Sequence, residues 1–132
     1  MIHNVIVLII HLYTFQQSAS LVLEVTNIEN DKGFVLVAIS NVNEELIKTR
    51  KLPIKDGKAN LEIKNMKYGK YAIKLFHDKN DNGELDRNLV GYPKEGFGFS
   101  NNAQPKMGPP DFEDQLFFIQ GKTTHQIKMI YL

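Results

Sequence analysis

Turn signals recur about every ten residues along most of this chain, separated by short apolar runs without helical period, a spacing that restricts the fold to short strands packed in sheets. Asn30-Asp31-Lys32-Gly33, Asp56-Gly57, Tyr68-Gly69-Lys70 and Gly121-Lys122 supply the turns. Leu21, Leu23 and Val25 alternate with Val22, Glu24 and Thr26, which predicts a half-buried strand. Phe34 to Ile39 is apolar at every position, so that strand is expected in the centre of a sheet, covered on both sides or paired within a sandwich. Asp56-Gly57, between Lys51–Lys55 and Ala59–Ile63, predicts a hairpin with a type I′ turn. Tyr71 to Phe76 reads as a further strand, and Gln115–Gln120 with His125–Leu132 as a closing hairpin around Gly121-Lys122. Asn43 to Lys48 has the makings of one helical turn capped by Asn43. Together these give an all-β fold, an antiparallel β-sandwich of about seven strands.

At 132 residues the chain is one domain, large enough to bury a core without staples. Lysine and arginine number 16 against 15 acids, and the basic residues are scattered, which argues against nucleic acid and anionic membranes as partners. The absence of cysteine excludes disulfides, thiol catalysis, cysteine zinc sites and an acylated cysteine. Val5 to Phe15 is an apolar run, too short for a spanning helix of about 20 residues. It reads as the core of a signal peptide over residues 1–20, with the small residues Ser18-Ala19-Ser20 at the cleavage site and a mature domain over 21–132. Its amino-terminal flank carries His3 and neither lysine nor arginine; the other reading is a buried first strand or helix. The signal reading implies a secreted or periplasmic protein with no membrane insertion once the signal is removed.

Within that frame, Asp78-Lys79-Asn80-Asp81-Asn82-Gly83-Glu84-Leu85-Asp86 spaces oxygen-bearing side chains two residues apart and turns at a glycine. That is how a peptide wraps a hard cation. Aligned on an EF-hand loop, Asp78, Asn80, Asn82, the Glu84 carbonyl and Asp86 fall on ligand positions and Gly83 on the turn, whereas the closing glutamate position holds Leu89. Ca2+ is the expected ion, its shell completed by Asp86 or by Asp111, Glu113 or Asp114; Mg2+, which wants rigid octahedral geometry, fits less well. The competing reading is an Asx-rich surface turn whose side chains bond their own backbone.

From Leu89 to Asp114 the chain shows no strand pattern and is rich in glycine, proline and aromatics. Loops this long are functional or disordered, and Tyr92, Phe97, Phe99 and Phe112 give this one apolar surface to bury. Either the rings cap one end of the core, or Tyr92, Phe97, Phe99, Asn101 and Asn102, with Gln104, face a cell-surface glycan or a protein or peptide partner. A hydrolase is the third reading, with His77 beside Asp78 and Ser100 and Asp111 on the long loop, or with paired acids among Asp86, Asp111, Glu113 and Asp114. Ser100 lacks the glycine-flanked elbow of hydrolase serines, and His77 is expected to hold a loop carbonyl instead.

Phe76 to Asp86, Gly91 to Asn102 and Gly108 to Asp114 together resemble a family of small secreted bacterial proteins classed as a domain of unknown function, with the pattern FHDxNxNGxLD…GxPxEGxGFSNN…GPPxFxDA. Gln115 departs from the alanine of that pattern, and Asn65 to Tyr71 replaces its commoner leucine-proline-proline-glycine turn. The resemblance implies export and a fold like the transthyretin-like and carboxypeptidase-regulatory-like sandwiches. It implies no reaction.

Overall fold

The alternating run around Leu21 forms strand β1 (Ser18–Thr26) in the computed structural model, which describes residues 17–132. Leu21, Leu23 and Val25 are fully buried, each contributing about 1.5–3 kcal/mol of apolar transfer. Most of the expected signal segment lies outside the described residues. Its last residues, Ser18 to Ser20, begin β1, with Ala19 buried.

The chain continues through β2 (Phe34–Asn41), β3 (Leu46–Pro53), β4 (Ala59–Lys67), β5 (Gly69–Asp78), β6 (Phe97–Phe99), a short helix α1 (Phe112–Gln115), β7 (Phe117–Ile119) and β8 (Lys122–Lys128). They form two sheets, one of three strands in the order β4-β1-β8 and one of five, β3-β2-β5-β6 with β7 on β5. The molecule is an all-β sandwich. Val35, Val37 and Ile39 of β2 and Ile73 and Leu75 of β5 face Leu21, Leu23, Val25 and Ile127 across a single core. One pairing departs from the antiparallel expectation: β1 and β8 run parallel, Ser20 opposite Lys122 through Thr26 opposite Lys128.

Three local expectations are corrected. The Asp56-Gly57 turn is present, with both residues at positive φ (53° and 73°) and Lys55 and Lys58 exchanging backbone hydrogen bonds, as a type I′ turn requires. Its arms then separate instead of pairing. Leu52 goes into the core from β3, beside β2, and Ile63 from β4, beside β1, because each arm satisfies its backbone on a different sheet. The Asp31 carboxylate accepts the Asp56 and Gly57 N–H groups at 2.9 Å and so ties this crossover to the β1–β2 turn. The closing hairpin divides in the same way, since β7 pairs with β5 and β8 with β1. Asn43 to Lys48 contains no helical turn: Asn41 caps a tight β2–β3 connection, its side-chain oxygen accepting the N–H groups of Asn43 and Glu45, and Leu46 already belongs to β3.

Two glycines set close approaches. Gly33 has φ +69°, and a Cβ there would run into the Asp78 carbonyl, so the β1–β2 turn lies directly on the end of β5. At Gly98 a Cβ would stand 2.8 Å from Ile127 Cγ2. Glycine lets β6 lie flush on the core.

Candidate functional site

The two sheets differ on their outer faces. Strand periodicity puts Glu24, Glu62 and Gln126 on the outside of the three-stranded sheet, a polar solvated surface with Gln126 donating to Glu24 at 2.7 Å. On the five-stranded sheet the outward positions include Leu36 and Ala38 of β2, Ala72 and Phe76 of β5, and Phe97 and Phe99 of β6, with Lys74 among them and Ser40, Thr49 and Lys51 toward the β3 side. This face is largely apolar. The continuous apolar run of β2 is thus accounted for, with Val35, Val37 and Ile39 turned to the core and Phe34, Leu36 and Ala38 turned outward.

The long segment does not cap an end of the sandwich; it walls this outer face. Residues from 85–93 and from 105–112 both line an open cleft of about 1640 Å³ over it. That exceeds the ~300–1,000 Å³ of common small-molecule pockets. Leu36, Ala38, Lys74, Phe76 and Phe99 line its floor, and Tyr92, Val90, Met107 and Phe112 its walls. Large apolar side chains also stand in solvent along the rim, with Val90 80%, Tyr92 60% and Met107 110% exposed. Isolated exposed apolar residues are ordinary, but a cluster bordering an apolar floor marks a contact surface.

Of the aromatics singled out in the sequence, Tyr92, Phe97 and Phe99 all line the cleft, Phe97 as the most buried of the three at 6% exposed. Asn101 and Asn102 are brought elsewhere. The Asn101 amide donates to the Asp114 and Leu116 carbonyls, and Asn102 Oδ1 accepts the Lys128 N–H. Leu36 and Ala38, which no motif flagged, form the floor with Phe76, the first residue of the family pattern; the doubly apolar β2 pattern is the signal that points to the first two.

The Asp78 loop anchors one end of the cleft wall. Asp78 is fully buried, its carboxylate accepting the N–H groups of Asn82 at 3.1 Å and Gly83 at 2.8 Å. The amides of Asn80 and Asn82 both converge on Asp86, at 2.6 and 2.8 Å. These bonds, Asn82 first and then Asn80, hold the Asp86 carboxyl below its ordinary range. Asn82 Oδ1 accepts the Glu84 N–H, and the exposed Asp81 reaches Lys51 on β3 at 2.6 Å. Glu95 closes the loop. Its carboxylate, nearly buried, takes the Lys79 N–H at 2.8 Å and the Asp86 N–H at 3.0 Å. Sequence spacing missed Glu95, which follows Asp86 by nine residues and has no periodic relation to the ligand pattern.

Asp111, Glu113 and Asp114 are not brought to this loop. Asp111 precedes α1 and Glu113 and Asp114 lie within it, and α1 is held against Ile73 through Ser100, whose hydroxyl donates to the Gln115 carbonyl and accepts the Ile73 N–H. Ile73 lies five residues before Asp78 on β5, about 16 Å along a strand. Among the described residues no group of three or more acids and histidines is gathered as a metal centre. His77 is buried, with Nε2 2.6 Å from the Lys32 carbonyl and Nδ1 2.9 Å from the Tyr131 hydroxyl. A carbonyl only accepts, so Nε2 carries the proton and Nδ1 accepts from Tyr131. The ring and Ser100 serve different partners and do not meet as base and nucleophile.

A family model described as an uncharacterized protein conserved in bacteria (DUF2141) matches residues 23–127. No curated protein and no solved structure matches the chain.

Proposed function

Since the chain belongs to this uncharacterised bacterial family, we propose from its own surfaces that it is a noncatalytic binding module whose ligand enters the cleft on the outer face of the five-stranded sheet. One observation carries the reading. Apolar side chains occupy most of the outward positions of β2, β5 and β6 and line one cleft with two loops, while the other sheet turns glutamates and glutamine outward. An apolar surface of this size is held open to water only at a free-energy cost of about 25 cal/mol per Å², and a partner that covers it recovers that energy. NMR with small organic probes, isopropanol and phenol among them, is expected to shift the amides of Leu36, Ala38, Phe76 and Phe99 while leaving Glu24 and Glu62 still. Shifts spread evenly over both sheets would remove the reading.

Export belongs to the same proposal, with residues 1–20 as the signal and a sandwich of the transthyretin-like kind delivered outside the cytoplasm. The Asp78 loop is proposed to take Ca2+, held by Asp78, Asn80, Asn82, the Glu84 carbonyl and Asp86. Support comes from the side-chain ends of Asn80, Asn82 and Asp86, which already meet within hydrogen-bond distance. An amide flip at Asn80 exchanges its nitrogen for an oxygen at nearly the same position, turning a donor into a ligand, whereas Asn82, whose Oδ1 holds the Glu84 N–H, would have to give up that bond to do the same. Extracellular sites of this type bind at about 10⁻⁴–10⁻³ M. Calorimetric titration is expected to show Ca2+ heat in that range, abolished in Asp86→Ala; a flat titration, with no melting shift on adding chelator, would sink the ion.

A further inference from the structure

The charges around the cleft narrow its ligand, an inference that rests on the binding reading above. Arg50, Lys51, Lys74 and Arg87 line it against a single acid, Glu44, in a chain whose formal charge is only +1. Lys51 and Lys74 share the outer face of the sheet, whereas Arg50, opposite Val37, has the core-facing register of edge strand β3 and borders the cleft from there. Lys51 already has Asp81 as its partner, and Arg50 and Arg87 each direct a guanidinium nitrogen to a neighbouring carbonyl, of Thr49 and Gly91. Lys74 differs. It rises from the middle of the apolar floor, between Ala38 on β2 and Phe99 on β6, and the ion pairs among the described residues leave it out.

We propose that the cleft binds a long-chain fatty acid, with the acyl chain on Leu36, Ala38, Phe76 and Phe99 and the carboxylate on Lys74. The floor runs about 13 Å along β5 from Ala72 to Phe76 and about 14 Å across β3 to β6 at ordinary strand spacing, shorter than an extended long acyl chain, so the chain would lie bent over it with its end at the rim. An acyl chain asks for no hydrogen bonds, and the floor offers few. A sugar would need several fixed donors and acceptors, and the amides of Asn101 and Asn102 that the sequence offered for it do not line the cleft. A peptide added as a strand needs an open sheet edge, whereas this surface is a sheet face. A bilayer prefers a protruding surface, and the floor here is recessed in a cleft that two loops line. The exposed Val90, Tyr92 and Met107 then close on the chain as it enters. A carboxylate meeting an ammonium beside apolar surface forms a charge-assisted contact stronger than the same pair in open water.

The test is binding to the full chain of oleate below its micelle concentration, of oleyl alcohol, and of vesicles of phosphatidylglycerol. Oleate is expected to bind one to one and at least tenfold more tightly than oleyl alcohol. Lys74→Gln should erase that preference and Lys74→Arg should keep it. Ala38→Trp, which fills the floor, should abolish binding, with thermal melts confirming that each variant folds. Equal affinity for acid and alcohol, or an unchanged Lys74→Gln, overturns the head-group assignment and with it the proposal. So does binding to vesicles but not to monomeric oleate, which makes the face a membrane contact, or concentration-dependent dimerisation that buries it against a second copy. If oleate fails while isopropanol and phenol still map to the cleft, the fatty acid is wrong and the binding module stands; if neither binds, both are lost.

Discussion

One buried carboxylate, that of Glu95, ties both ends of the 79–86 loop together by accepting the Lys79 and Asp86 N–H groups. Hydrogen bonds to a charged acceptor contribute about 1.5–3 kcal/mol, and here two of them fix the base of a cleft wall. Glu95→Gln replaces one acceptor oxygen by a donor that faces an N–H. It is expected to cost about 2 kcal/mol, read as a lower urea midpoint at unchanged slope, while Glu84→Gln at an exposed position leaves the midpoint where it was. The alternate-residue rhythm of Asp78, Asn80 and Asn82 is legible in the chain because neighbouring side chains on one loop share a local geometry. Glu95 is not legible that way, since a long excursion through Arg87 to Lys94 brings it back. His77 shows the opposite case: a loop-holding role is readable from its chemistry, but its Tyr131 partner, 54 residues away, comes only with the fold.

Among the elements, β7 and β8 illustrate how a local signal is overruled by distant partners. Gly121 turns the chain as its sequence suggests, but β5 and β1 claim the arms for separate sheets, and no pattern within the arms records that competition. The apolar run of β2 is more informative, because burial on both sides is a property of the strand itself and survives any choice of neighbours. The β7–β8 crossover carries a titratable group at its edge: His125 of β8 stacks on Phe117 of β7, ring centroids 3.9 Å apart, and its Nε2 accepts the Asn101 N–H at 3.0 Å. Burial lowers the His125 pKa below its ordinary 6.5, so the unfolded chain takes up the proton first. The stability this ring supplies is therefore complete above pH 6.5 and declines as pH falls from there through the folded value. Urea midpoints at pH 7.5 and 5.5 are expected to differ by less in His125→Phe than in the native chain. An equal pH dependence in the two would show that other groups set the slope.

At the scale of the whole molecule, the sandwich is asymmetric, with a narrow sheet polar on its outer face and a broad one largely apolar there. The segment that breaks the strand pattern in the sequence is what builds the difference, and its glycines matter chiefly where Gly98 lets β6 settle against Ile127. The sheet count and the single core follow from periodicity; the cleft does not, because it arises from which face two remote loops fold over. The parallel partnership of β1 with β8 has a temporal meaning. A chain emerging amino end first exposes one flank of its opening strand until residues 122–128 arrive, and contacts so distant in sequence close slowly.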